Sequence, residues 1–366
     1  MYGKSEKRTQ RILGLAYYLF TVLLLAGVVY ALFAAPFEKW AQVVFNAVNA
    51  QDIPVVHDVT EIVADENTVE SFDSASVQAE SYQTPADVAR MEAQYLAVFA
   101  DQSEDGDVLE DDFSASGTTD RVQNAAIRNA TATKCPDFEA LLMLGADLHV
   151  PRSNEPLVLI YHTHTSESYL LSDNGSFWNA YDTHTDEADR NMIRIGDAMK
   201  TVLENAGIGV IHDTSVYDAD YNGAYARSRD GIEKILAENP SVQIVLDVHR
   251  DAFYYSDTER GKPVTVIDGR KAAQAMIISG AEEGQIADFS DWEYNLRFAL
   301  ELQNTASEMY ETLMRPLYFC QRKYNMDICK NALLLEIGTD ANTLDEALYS
   351  ATLCANALVK VIENHK

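Results

Sequence analysis

The chain is poor in basic residues: 28 Lys and Arg stand against 57 Asp and Glu in 366 residues, a formal net charge of −29. Such a surface repels phosphate, which excludes a nucleic-acid partner and argues against docking of the folded part on anionic lipid. Cysteines are few. The four, Cys135, Cys320, Cys329 and Cys354, have spacings that fit no zinc-finger pattern. Cys320 and Cys329 flank QRKYNMDI and either bridge or stay reduced. The HExxH, P-loop, GxSxG and GxGxxG patterns are absent, and there is no internal repeat.

Long apolar runs are also rare, with one exception. Residues 12–35, ILGLAYYLFTVLLLAGVVYALFAA, carry no charge over 24 residues. A helix of about 20 apolar residues spans a bilayer, and a signal-peptide core is shorter. Residues 1–11 form a basic tail, and an acidic stretch follows the run. The positive-inside rule then leaves the N-terminus cytoplasmic and the remainder extracytoplasmic. The expectation is a single-pass anchor in the cell membrane. Residues 36–150 are strongly acidic, net −17. Within them, 36–135 are rich in Asp, Glu, Ser, Thr, Gln and Ala, which reads as a largely flexible linker. Residues 40–50 and 85–99 are its candidate helices.

From about residue 136 the pattern changes to strands alternating with helices. Strands are expected at 157–162, 208–213, 242–249, 271–280 and 330–338, and helices at 191–207, 223–239, 292–313 and 344–364. This is an α/β pattern: a mainly parallel sheet flanked by helices on both faces, over 136–366. Ligands of such sheets sit beyond the carboxyl ends of the strands.

The strand ends carry the chemistry. The first runs into YHTHTSES, with His162, His164 and Glu167. The second ends in His212 and Asp213. The third ends in DVHRDA, with Asp247, His249, Arg250 and Asp251. The last passes through Glu336 in LLLEIGTDANT. Neutral imidazoles and a carboxylate are the usual ligands of a catalytic zinc that keeps a position open for water. A second carboxylate near it can move the water's proton. Glu336, following three leucines, needs a salt bridge or a catalytic role to justify its burial. Arg250 and Asp251 either pair or contact substrate. His184, in the polar loop YDTHTDEADRN, reads as solvated.

These residues resemble a known family, stage II sporulation protein P of endospore-forming bacteria. The resemblance is carried by LVLIYHTHTSESY, RNMIRIGDAMKTVLENAGIGVIHD with YNGAYARSR, IVLDVHRDA, WEYNLRFALELQ and KYNMDICKNALLLEIGTDANTLDEAL, in order across about 150–366. The family is similar to zinc-dependent N-acetylmuramoyl-L-alanine amidases. The resemblance implies an amidase that removes stem peptides from glycan strands, with an added endopeptidase activity on crosslinks. It would act on peptidoglycan in the engulfing membrane, beside stage II sporulation proteins D and M. By position, His164 matches the first zinc ligand, with His162 second; His249 matches the other His, and Glu336 the catalytic carboxylate. The amidases' middle ligand is a Glu, but Asn191 stands near the aligned place. Glu167, the other His of His-x-His, or Glu187 could substitute, and Arg250 could steady the oxyanion. The rival readings are an inactive wall-binding scaffold and a zinc deacetylase or peptidase on another extracellular amide.

Overall fold

The computed structural model describes residues 82–151 and 155–366, which fall in the unit Gln78–Lys366. The elements begin with helix α1 (Ala86–Phe99), strands β1 (Gly106–Asp111), β2 (Asp120–Val122) and β3 (Ala125–Asn129), and helix α2 (Phe138–Leu144). Next come β4 (Pro156–Tyr161), β5 (Ser176–Phe177), α3 (Met192–Asn205), β6 (Gly209–His212), α4 (Ala224–Glu238) and β7 (Ile244–Asp251). The chain continues with β8 (Tyr254–Ser256), β9 (Glu259–Ile267), β10 (Arg270–Ala273), β11 (Ala275–Gly280) and α5 (Trp292–Met309). It ends with β12 (Leu317–Cys320), a short 3-10 turn (Met326–Ile328), β13 (Ala332–Thr339) and α6 (Leu344–Asn364).

The main sheet has the order β2-β3-β12-β11-β13-β7-β4-β6. Its β13-β7-β4-β6 block is parallel, as expected for apolar runs such as LVLIY and ALLLEIG that are buried along their length. The architecture is mixed rather than uniformly parallel, because β11 runs antiparallel to β13. A second sheet, β10-β9-β1-β5 with β8 beside β9, is absent from the sequence reading. The stretch 271–280, read there as one strand, is two. It breaks at Gln274, with β10 in the second sheet and β11 in the first. The β9–β10 turn is Asp268-Gly269, both at positive φ (49° and 76°), the Asp-Gly signature of a two-residue hairpin.

The linker reading also needs correction. Residues 86–99 do form the expected helix, and they bury Val88, Tyr95 and Phe99. Strands β1 to β3, which lie within the expected linker, pair into the two sheets. Ala125, Ala126 and Ile127 are fully or nearly fully buried. Short apolar patches are diluted in an average composition, yet they suffice once long-range partners exist. The expected membrane run 12–35, the candidate helix 40–50 and the rest of the linker up to residue 81 lie outside the described residues. Among the described residues no helix is long and apolar enough to cross a membrane. All four cysteines are free thiols, so the Cys320–Cys329 bridge does not form. Cys320 is buried in β12, while the Cys329 thiol donates to the Gln243 carbonyl at 3.3 Å.

Helix α6 packs against α3 and α5 and is buried along most of its length. Its capping box is closed by Thr343 and Glu346. Glu346 also meets Lys262 at 2.8 Å, and Lys262 reaches Glu110 at 2.8 Å and pairs with Asp173. Lys262 is only 1% exposed. Burial alone would lower its pKa, but Glu346 and the other two carboxylates outweigh that and raise it. Replacing Lys262 by Met should therefore destabilise the fold by about 3–5 kcal/mol, since it strands a buried carboxylate. A denaturant titration measures this; a loss under about 1 kcal/mol would mean the network is solvated.

Candidate functional site

Strand register aligns the central residues. On β7 and β13, His249 lies beside Glu336; on β4 and β7, Tyr161 lies beside Asp247. Asp247 and His249 are two residues apart, so both project from one face. Asp247 is fixed by Thr163, whose backbone N–H and hydroxyl donate to it at 2.8 and 2.7 Å.

His249 sits between two carboxylates. Its Nε2 lies 2.8 Å from Asp247 Oδ1, an ion-pair contact whose alignment falls short of a hydrogen bond. Its Nδ1 lies 3.4 Å from Glu167 Oε2. Burial favours the neutral ring, but Asp247 and then Glu167 outweigh it and hold the imidazole pKa well above its usual value. Glu167 responds in kind. Burial pushes its carboxyl up, yet the His249 contact and the charges of His249 and Arg250 bring it down to about 2. The Arg250 backbone N–H also donates to Glu167 Oε2 at 3.1 Å.

His164 completes the group. Its ring centroid is 5.4 Å from that of His249, and its buried Nδ1 has no hydrogen-bond partner. Burial lowers its pKa, which favours the neutral ring that can act as a ligand. Glu336 has a buried Oε2, also without a partner. Burial, then the nearby Asp251 carboxylate, push the Glu336 carboxyl up to about 8.

The imidazoles of His164 and His249 and the carboxylate of Glu167 suit a zinc ion in donor chemistry, and among them His164 Nδ1 is an orphaned buried nitrogen. Asp247 would then be the carboxylate that orients a ligating His from behind. A tighter acidic group exists elsewhere: the donor atoms of Glu110, Asp173 and Glu346 all lie within 4.8 Å of one another. That trio already holds Lys262 and Lys271, whose ammonium groups take the place of a cation.

Several expected site residues lie elsewhere. His162 does not join His164. The His-x-His reading assumed a strand, but β4 ends at Tyr161 and the chain turns, so the two rings part. His162 Nδ1 donates to the Val248 carbonyl at 2.8 Å, and its Nε2 meets His212 Nε2 at 2.9 Å. His212 in turn contacts Asp197 at 2.9 Å. Burial and His212 push His162 down to about 3. A Cβ at Gly196 would come within 2.3 Å of His212 Nε2 and 2.7 Å of His162 Nε2, so helix α3 carries glycine where alanine would otherwise be favoured.

Arg250 is not placed to steady an oxyanion. Its side chain donates to the carbonyls of Ser168 (3.2 Å) and Thr183 (3.1 Å) and lies 3.1 Å from His184 Nε2, so it anchors the 167–184 loop. Asp251 pairs with Arg315 at 2.8 Å. Asn191 caps α3, accepting from Ile193 N at 3.0 Å, and Glu187 pairs with Arg190 at 2.9 Å. Of the alternatives for the middle ligand, Glu167 is the one brought to His249.

The sequence reading assigned no role to Asp247, Tyr221 or Tyr225. The D-x-H spacing on a strand was a usable signal for Asp247. Tyr225 meets His164 edge-on at 5.7 Å and lies parallel to His249 at 6.5 Å. The tyrosines gave no such signal, because their contacts join distant segments.

Solved structures with similar folds include the N-acetylmuramoyl-L-alanine amidase AmiC2 of Nostoc punctiforme (13% identity, 59% of this chain and 98% of that one, TM-score 0.34). Another is the N-acetylmuramoyl-L-alanine amidase from Clostridium difficile 630 (15% identity, 58% and 97%, TM-score 0.34). Likeness at this level carries no function across. Stage II sporulation protein P of Bacillus subtilis (strain 168) is 28% identical over 218 residues, which cover 56% of this chain and 50% of that protein. The match thus spans about half the length of that curated relative. Residues 57–359 match the family described as Stage II sporulation protein P (SpoIIP), and the chain belongs to that family.

Proposed function

We propose that this chain is a zinc-dependent peptidoglycan hydrolase, an N-acetylmuramoyl-L-alanine amidase of the sporulating cell. What supports the reading is Glu167 against His249 at 3.4 Å, the His164 ring 5.4 Å from that of His249, and Glu336 beside His249 in register with a buried, unpartnered Oε2. The first three would hold the zinc. A bound zinc supplies Lewis-acid polarisation of the amide carbonyl and a lowered pKa for water.

The chain's own residues do the rest. Asp247 fixes the His249 ring, and Arg250 holds the 167–184 loop that carries Glu167. Glu336 takes a proton from the attacking water and returns it to the leaving amine, so one carboxyl serves as base and then acid. The bond broken joins the lactyl carbonyl carbon to the L-alanine nitrogen; water supplies the oxygen and the amine leaves with the added proton.

Further parts of the proposal rest on family membership and on the first 81 residues. The 12–35 run anchors the chain in the cell membrane with the site outside. Stage II sporulation proteins D and M act beside it during engulfment, and crosslink peptides are a second class of substrate. The test is release of labelled peptide from sacculi by the full chain. Release that stops with a chelator and returns with zinc supports the proposal. Binding without release, even after a glycosidase opens the strands, would favour a scaffold instead.

A further inference from the structure

The stretch YNGAYARSR, residues 221–229, has no part in the chemistry above, yet it wraps the site. Gly223, at φ 83°, lets the chain turn into α4. Arg227 then reaches back over the preceding loop. Its Nε donates to the Tyr217 carbonyl at 2.7 Å, its Nη1 to that of Asn222 at 3.1 Å, and its Nη2 to that of Asp220. From the other side, Asp218 accepts from the Ser166 N–H at 3.0 Å and hydroxyl at 2.6 Å. The 217–222 loop is thereby pinned to the turn that bears His164.

Tyr221 projects from this pinned loop. Its ring lies parallel to His164 at 4.7 Å with planes 10° apart, and the residue is 67% exposed. One face covers His164, so the exposed ring offers solvent a fixed apolar surface next to the candidate metal ligands. An ordered aromatic of this kind loses little entropy on binding a ligand. The surroundings select what it binds. Asp218 and Asp220 flank it in a chain of net charge −29, so a peptide rich in carboxylates is repelled. An uncharged pyranose is not, and its flat C–H face suits the negative face of an aromatic ring.

We propose that Tyr221 is the glycan platform of this site, its free face stacking on an N-acetylhexosamine ring beside the amide. The assignment rests on the peptidoglycan reading, and it makes Tyr221 a positioning residue. The test uses the full chain carrying Glu336→Gln, so that nothing is cleaved, titrated calorimetrically with an N-acetylglucosamine tetramer and with free stem peptide. Adding Tyr221→Ala should weaken tetramer binding roughly threefold to tenfold, and Tyr221→Trp should retain it. Arg227→Ala should give a similar loss and add little to Tyr221→Ala, as expected for groups acting as one unit. Zinc content should not change. The proposal is overturned if the tetramer does not bind, if Tyr221→Ala leaves its binding unaltered, if the loss falls on the stem peptide alone, or if zinc is lost with it. Should the tetramer bind with the expected pattern while the unsubstituted chain cuts nothing, the platform stands and the hydrolase reading fails.

Discussion

Glu336→Gln should yield a folded, zinc-binding chain whose release of peptide from sacculi is slower by roughly two to four orders of magnitude, the span of general acid–base catalysis. Glutamine keeps the volume of the side chain inside β13 and cannot exchange a proton with water. The substitution should cost little stability, because Oε2 of Glu336 has no partner to lose and the carboxyl is already held up to about 8 by burial and by Asp251. Initial rates, a thermal melt and the zinc content of the same preparation check all three points. Loss of zinc in this variant would make Glu336 a ligand rather than the proton carrier.

The second large effect separates residues that the sequence presents alike. His164→Ala and His249→Ala should abolish zinc binding and, with it, peptide release. His162→Ala should keep the zinc, since its ring is turned to Val248 and His212. Asp247→Asn should fall between them, weakening zinc binding roughly 10–100-fold as loss of an outer partner does. Metal titration monitored at equilibrium distinguishes the three classes. Zinc lost from the His162 variant and kept in the His164 variant would invert the ligand assignment.

The parallel block of the sheet was legible because its strands are apolar along their length and are closed by turn residues. For the same reason Glu336 and His249 stood out, as polar residues at the ends of apolar runs. The second sheet was not legible. Its strands β1 and β9 mix polar and apolar residues, and their partners lie far apart in sequence, Asp107 against Glu259 and Asp111 against Pro263. His162 misled because i, i+2 spacing implies a shared face only while the strand continues, and β4 stops at Tyr161. Arg250 sits in the right motif, but its guanidinium is taken by carbonyls of a loop about 70–80 residues earlier in the chain. Glu167 was one alternative among several. Choosing it required the loop contacts that bring Ser168 to Thr183 and Glu167 to His184.

The central claim is tested most directly by mass spectrometry of the soluble products from sacculi treated with the full chain and zinc. The account expects stem peptides that begin with a free L-alanine amine and lack muramic acid, absent with chelator and with Glu336→Gln. Products that keep muramic acid on their peptides, or no products at all, would contradict it.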